Sequence, residues 1–238
     1  LSFRFNPSDM KNYSTFGTRI STGNVFALNR LGLSDTLESG RSMTLGLDFS
    51  KEKKDDLDDI NNYFEIKLAT VLRDKEEKYI PNKSSINHKT SNLFGSITNR
   101  FSNNLDLNYN FSIDNDYNKF DYNDLNATIS ANNFVATLNF IEENNDNENT
   151  NVLAHSIAYN FDEENFFKYE TRRNRTINLT EFYDLVYEYK NDCLTAGIKY
   201  KKTYYSDGDL KPTENLLFTV TLFPLTTYEH DAQDLLNN

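Results

Sequence analysis

The sharpest pattern in the chain runs from Leu105 to Asp114, where Leu105, Leu107, Tyr109, Phe111 and Ile113 alternate with Asp106, Asn108, Asn110, Ser112 and Asp114. A helix would mix Leu105, Asn108 and Tyr109 on one side, so this two-residue period separates apolar from polar only in a strand. The alternation recurs at Met43, Leu45, Leu47 and Phe49; at Phe64, Ile66 and Leu68; at Leu125, Ala127 and Ile129; and at Phe134, Ala136, Leu138 and Phe140. Further on it returns at Tyr183, Leu185, Tyr187 and Tyr189; at Leu194, Ala196, Ile198 and Tyr200; and at Leu216, Phe218, Val220 and Leu222. With weaker segments near 2–6, 92–101, 151–161 and 165–173, the pattern predicts about twelve antiparallel strands of roughly nine to eleven residues, the length a tilted strand needs to cross a bilayer. No helix of useful length and no internal domain boundary is expected.

The connections alternate between tight and long. Tight turns are expected at Ser102-Asn103-Asn104, Ala131-Asn132-Asn133, Glu163-Glu164-Asn165 and Asn191-Asp192, where Asn tolerates the left-handed backbone such turns require. Longer polar loops are expected at about 7–40, 75–90, 114–119, 143–150, 174–180 and 206–213, which is the order of short periplasmic turns and long outer loops in an outer-membrane barrel. The Lys51 to Asp59 link is a longer periplasmic turn than that rule expects. Residues 1–225 are therefore read as barrel wall, and residues 226–238 as a periplasmic tail.

Composition alone points elsewhere: 37% hydrophobic residues, 26% charged residues and a mean hydropathy of -0.70 suggest a soluble or partly disordered chain. Alternation removes the conflict, because a wall with a wet lumen needs only every second residue apolar. No run of about 18 apolar residues exists, so only a barrel could span a bilayer. The chain starts at Leu1-Ser2-Phe3 without a leader and reads as an internal fragment. A net charge of -11 argues against a nucleic-acid partner. With 15 Tyr, 18 Phe and no Trp, any interfacial girdle is built from Tyr and Phe, although aromatics also simply favour strands.

Little in the chain suggests chemistry. His88, His155 and His230 lie far apart with no partner at a zinc-like spacing, and His155 shares a register with Leu153, Ile157 and Tyr159. Asp55, Asp56, Asp58 and Asp59 read as a solvated turn. No enzyme activity, metal or cofactor is expected. The polar register carries Glu65, Lys67, Arg100, Asp106, Asn108, Asn110, Lys168, Glu170, Arg172, Asp184, Glu188, Lys199 and Lys201. A Lys or Arg facing lipid at the midplane costs roughly 2–4 kcal/mol, so this set is expected to face the lumen. It would serve either as a hydrated lining with ion pairs or as a path for a charged, amphipathic solute. The one cysteine, Cys193, is either a free thiol or bonded to a segment outside these residues.

Several segments resemble LptD, the lipopolysaccharide-assembly barrel family. Asn29-Arg30-Leu31-Gly32-Leu33-Ser34-Asp35-Thr36-Leu37-Glu38-Ser39-Gly40-Arg41, followed by Leu45-Gly46-Leu47, is similar to that family's "NRFSG-D-hydrophobic-E" loop entering a strand. Phe3-Arg4-Phe5-Asn6-Pro7 precedes it, while Tyr189 to Tyr200 around Cys193, and Tyr204 to Pro212, fit near the end. The resemblance implies a transmembrane portion of a roughly 26-stranded barrel in the outer membrane of a Gram-negative bacterium. It further implies lipopolysaccharide as cargo, an LptE-like lipoprotein plug, a periplasmic transport bridge acting through an N-terminal domain, and the barrel-assembly machinery as partners. Under this resemblance the last strand, with Leu216, Leu217, Phe218, Thr219, Val220, Thr221, Leu222 and Phe223, is the lateral gate, and Cys193 bonds an N-terminal cysteine. The family often has two adjacent cysteines there; Asp192 occupies the neighbouring position. Alternatives from the residues alone are a self-contained, porin-like twelve-stranded barrel or binding barrel, a soluble β-sandwich, and an outer-membrane lipase.

Overall fold

A computed structural model describes residues 1–54, 60–101, 104–144, 149–204, 212–223 and 226–232. The chain is all-β, with thirteen strands forming one antiparallel sheet in sequence order. These are β1 Ser2–Asn6, β2 Gly40–Lys54, β3 Ile60–Arg73, β4 Leu93–Phe101, β5 Leu105–Ile113, β6 Phe120–Ala131 and β7 Phe134–Asn144. They continue as β8 Asn149–Asn160, β9 Asn165–Asn174, β10 Leu179–Lys190, β11 Leu194–Thr203, β12 Thr213–Leu222 and β13 Thr226–Asp231. The sheet is open, with β1 and β13 at its two edges.

All twelve segments with alternating or weaker strand signals form strands, and the thirteenth lies where a tail was expected. β13 pairs with β12 from Leu222↔Thr226 to Leu217↔Asp231, so the segment around Leu216–Leu222 is an interior strand. Its sequence, Thr-Thr-Tyr-Glu-His-Asp, has no apolar alternation to announce it, and the ladder to β12 supplies what the side chains do not. The Lys51 to Asp59 link is also shorter than expected, because β2 continues to Lys54 opposite Ile60. Residues 55–59 and most of the expected loop at 206–213 lie outside the described residues, as do Ser102 and Asn103.

Local side chains shape the tight turns. Asp162 Oδ1 accepts the N–H groups of Glu164 (2.9 Å) and Asn165 (2.7 Å), closing β8 onto β9. Asn191 Oδ1 accepts those of Cys193 (3.0 Å) and Leu194 (2.9 Å) between β10 and β11. Asn132 adopts the left-handed backbone at φ 49° between β6 and β7, as its residue type suggested.

The chain divides into two compact units, Leu1–Ser102 with Leu107–Leu125 and Glu142–Asn149, and Asn103–Asp106 with Asn126–Ile141 and Thr150–Asn238. The first has a hydrophobic core made of Met10, Ile20, Val25, Leu31, Leu33, Ala69, Val71, Ile80, Ile86 and Phe94. Every residue of that core belongs to the first unit.

Candidate functional site

In the second unit, the registers of β8 to β13 place opposed residues on a common face. One face carries Ile157↔Tyr169↔Leu185↔Tyr200↔Leu216, and the next apolar row Tyr159↔Phe167↔Tyr187↔Ile198↔Phe218. The opposite face carries Ser156↔Glu170↔Asp184↔Lys201↔Asn215 and Ala158↔Lys168↔Val186↔Lys199↔Leu217. Lys168, Glu170, Asp184, Lys199 and Lys201 thus share one face, with Arg172 opposite Phe182 and Glu188 opposite Gly197 in the same set. They form local ion pairs, Lys168 to Glu170 at 2.7 Å, Lys199 to Asp184 at 3.3 Å, and Arg172 to Glu181 at 2.8 Å. Each pair is partly exposed and contributes little to stability.

Asp106, Asn108 and Asn110 occupy alternate positions of β5, opposite in the pleat to Tyr109 and Phe111. Tyr109 donates its hydroxyl to Asn123 Oδ1 at 2.7 Å, and the Phe111 ring lies so close over Gly95 that a Cβ there would collide with it. Cys193 is an exposed free thiol in the turn between β10 and β11. Leu216 to Leu222 lie in β12, with Phe223 following, flanked by β11 and β13.

The first unit shows the same two faces and one surprise. Met43↔Leu72, Leu47↔Leu68↔Gly95 and Phe49↔Ile66↔Ile97 make an apolar face, on which Leu47 is 60% and Phe49 52% exposed. Asp48↔Lys67↔Ser96 and Ser50↔Glu65↔Thr98 lie on the other. Toward Arg73 that second face turns apolar at Gly46↔Ala69↔Phe94 and at Val71. The segment between β1 and β2, expected as a polar outer loop, packs there: Ile20, Val25, Leu31 and Leu33 join Ala69, Val71 and Phe94, and the Phe26 ring lies over Gly46. It is a folded plug on the polar-register face of the strands. The signal that it would fold onto the strands was present in Val71 and Phe94, which break the polar register, and in the apolar residues of a segment without alternation.

The plug's turn is built by the motif residues. Asn29 accepts from the Leu33 N–H (3.2 Å) and donates to its carbonyl (2.7 Å), while Gly32 takes a φ of 66° that disfavours other residues. The turn aims Arg30 into the core, where its side chain is fully buried. Arg30 Nε and Nη2 donate to Glu38 Oε2 and Oε1, both at 2.6 Å, and Nη1 donates to Thr44 Oγ1 at 2.9 Å. Arg73 donates to Glu38 Oε1 and to the Ser39 carbonyl, and Gly40, at φ 85°, leaves room for that guanidinium. Burial pushes the Glu38 carboxyl up, but the hydrogen bond and charge of Arg30, with the charges of Arg73 and Arg4, outweigh it and hold the group below its ordinary range. A second clasp has Arg19 stacked 3.6 Å over the Tyr122 ring and paired with Glu143 at 2.5 Å, while Lys83 reaches Glu143 at 2.6 Å. At the plug's surface Lys11 and Tyr13 donate to Asp35, raising Lys11 and lowering Asp35.

Such an arrangement fixes the segment between β1 and β2 against β2 and β3. Comparison with models of known families and with curated proteins returned no match. The functional reading therefore rests on the geometry and on the motif resemblance.

Proposed function

We propose that the chain is a section of an outer-membrane β-barrel wall that conducts lipopolysaccharide to the cell surface, in the manner of the LptD family. The observation that carries the reading is the apolar face of the second unit. Leu185, Tyr187, Ile198, Tyr200, Phe218 and Val220 form adjoining rows with no second layer upon them among the described residues, and a patch of that kind suits lipid or another apolar surface. The charged register on the reverse of the same strands suits a wet lumen that passes a phosphorylated, amphipathic solute.

Strand parity supports a larger wall. In thirteen consecutive antiparallel strands the first and last run in the same direction, so closing β1 onto β13 would need a parallel seam. An odd number of additional strands gives an antiparallel seam, which favours the large-barrel reading over a self-contained porin. In this proposal β12, the strand expected as the lateral gate, lies one strand inside β13, which pairs with it through six residues. An LptE-like lipoprotein, a periplasmic bridge and the barrel-assembly machinery are the partners it calls for.

Depletion of the protein in its own cells tests the reading. Newly made lipopolysaccharide should stop reaching the surface and accumulate in the periplasm or inner membrane; surface delivery at the normal rate would overturn it.

A further inference from the structure

A groove of about 560 Å³ crosses β1, β2 and β3 on the apolar face of the first unit. Phe3, Phe5, Met43 and Leu72 line it, with Phe3 72% and Phe5 65% exposed. It lies across the faces of the three strands. Its end nearest the plug is cationic. Arg41 lies 5.2 Å over the Phe5 ring and has no carboxylate partner among the described residues. Behind it, Arg4 donates to the carbonyls of Leu28 (2.8 Å) and Ala27 (2.7 Å) and makes no direct ion pair among the described residues. Arg73 and Arg30 share the single carboxylate of Glu38. Asp74 also lines the groove. Three arginines, Arg4, Arg41 and Arg73, and one carboxylate, Asp74, therefore line the groove, with Arg73 already paired to Glu38 from behind, in a chain whose net charge is -11.

We infer that this groove binds one phosphorylated lipid on the outside of the wall, its acyl chain along Phe3, Phe5, Met43 and Leu72 and its phosphate on Arg41. An apolar trough ending in an unpaired guanidinium matches an acyl chain ending in an anionic headgroup in both polarity and order. A zwitterionic lipid fills the trough equally well but brings a cation toward Arg41. The inference rests on the outer-membrane reading and adds to it a fixed lipid site.

The absence of tryptophan makes single-tryptophan reporters clean. The intact protein carrying L72W is placed in phosphatidylcholine vesicles containing either brominated phosphatidylglycerol or, at the same mole fraction, brominated phosphatidylcholine. I198W, on the apolar face of the second unit, is the control. Quenching of the L72W reporter is expected to favour the brominated phosphatidylglycerol by about fivefold, the preference one arginine at a membrane surface supplies. That preference should vanish with Arg41→Gln, while the control shows none. If the control is quenched and L72W shows no preference, or keeps it in Arg41→Gln, the lipid site is wrong and the membrane reading stands. If neither reporter is quenched, the membrane reading itself fails.

Discussion

Arg30 grips Glu38 with two parallel charge-assisted hydrogen bonds, Nε to Oε2 and Nη2 to Oε1, both 2.6 Å long, deep between the plug and the strands. The pair joins residues eight apart in the plug, and Glu38 in turn holds Arg73 of β3, so one carboxylate fixes the plug to the sheet. Ser42 and Thr44 of β2 satisfy further guanidinium donors, which is what lets a fully buried charge persist.

Glu38→Gln should loosen the plug without dissolving the sheet. Removing one partner of a buried pair leaves the other charge uncompensated, at a cost of about 3–5 kcal/mol. The expected outcome is protease cleavage within residues 10–33 at concentrations that leave the native protein intact.

Acid should act in the same direction. Because the folded Glu38 carboxyl is held below its ordinary value of 4.5, the stabilisation it gives is complete above that pH and is lost as pH falls through the depressed folded value. Amide exchange at Val25 and Leu31, corrected for intrinsic rates, should accelerate below about pH 4.5 in the native protein, whereas in Glu38→Gln it is already fast at neutral pH and shows no such transition.

The strand pattern was legible to a degree the plug was not. Alternation at Leu105 to Ile113, Tyr183 to Tyr189 and Leu194 to Tyr200 located strands, because a two-residue period is a property of each segment by itself. That Lys168, Glu170, Asp184 and Lys199 share one face of the sheet followed from the same period. Residues 7–39 carry no period of their own; the marks of their folding onto β3 and β4 were Val71 and Phe94, which break the polar register, and these meet Ile20, Val25 and Leu31 only through long-range packing. Arg30 and Glu38 were visible as motif letters, but their pairing depends on the Gly32 turn and on Arg73, which lies 35 residues beyond Glu38. β13 was missed for a related reason: its pairing comes from the neighbouring strand, not from its own side chains.

Gly95→Val should be poorly tolerated. A branched side chain there drives into the Phe111 ring, and overpacking of this kind costs typically about 1–3 kcal/mol. A lower temperature for the heat-induced mobility shift in gels is the expected readout, with partial recovery on adding Phe111→Leu.

Orientation has a direct consequence for Cys193, which is exposed at a tight turn. In intact cells a membrane-impermeant maleimide should leave Cys193 unmodified, then modify it after permeabilisation under reducing conditions. In a Cys193→Ser background, Ile177→Cys, in the exposed connection between β9 and β10, should react in intact cells.

Swapping neighbours in β11 should have unequal costs. Ile198→Lys sets a charge on the apolar row, for which about 2–4 kcal/mol is expected near the bilayer midplane, and should reduce assembled protein in the outer membrane. Lys199→Leu removes a partly exposed ion pair with Asp184 and should leave assembly within a small margin of the native level.

Nitroxide scanning of Ile198, Lys199, Tyr200 and Lys201 in the membrane-embedded protein tests the two-sided wall most directly. Collisions with oxygen, which concentrates among acyl chains, should peak at 198 and 200, and collisions with a water-soluble nickel chelate at 199 and 201. Equal exposure of all four positions to the nickel chelate, or the reverse alternation, would contradict a wall with lipid on one side and water on the other.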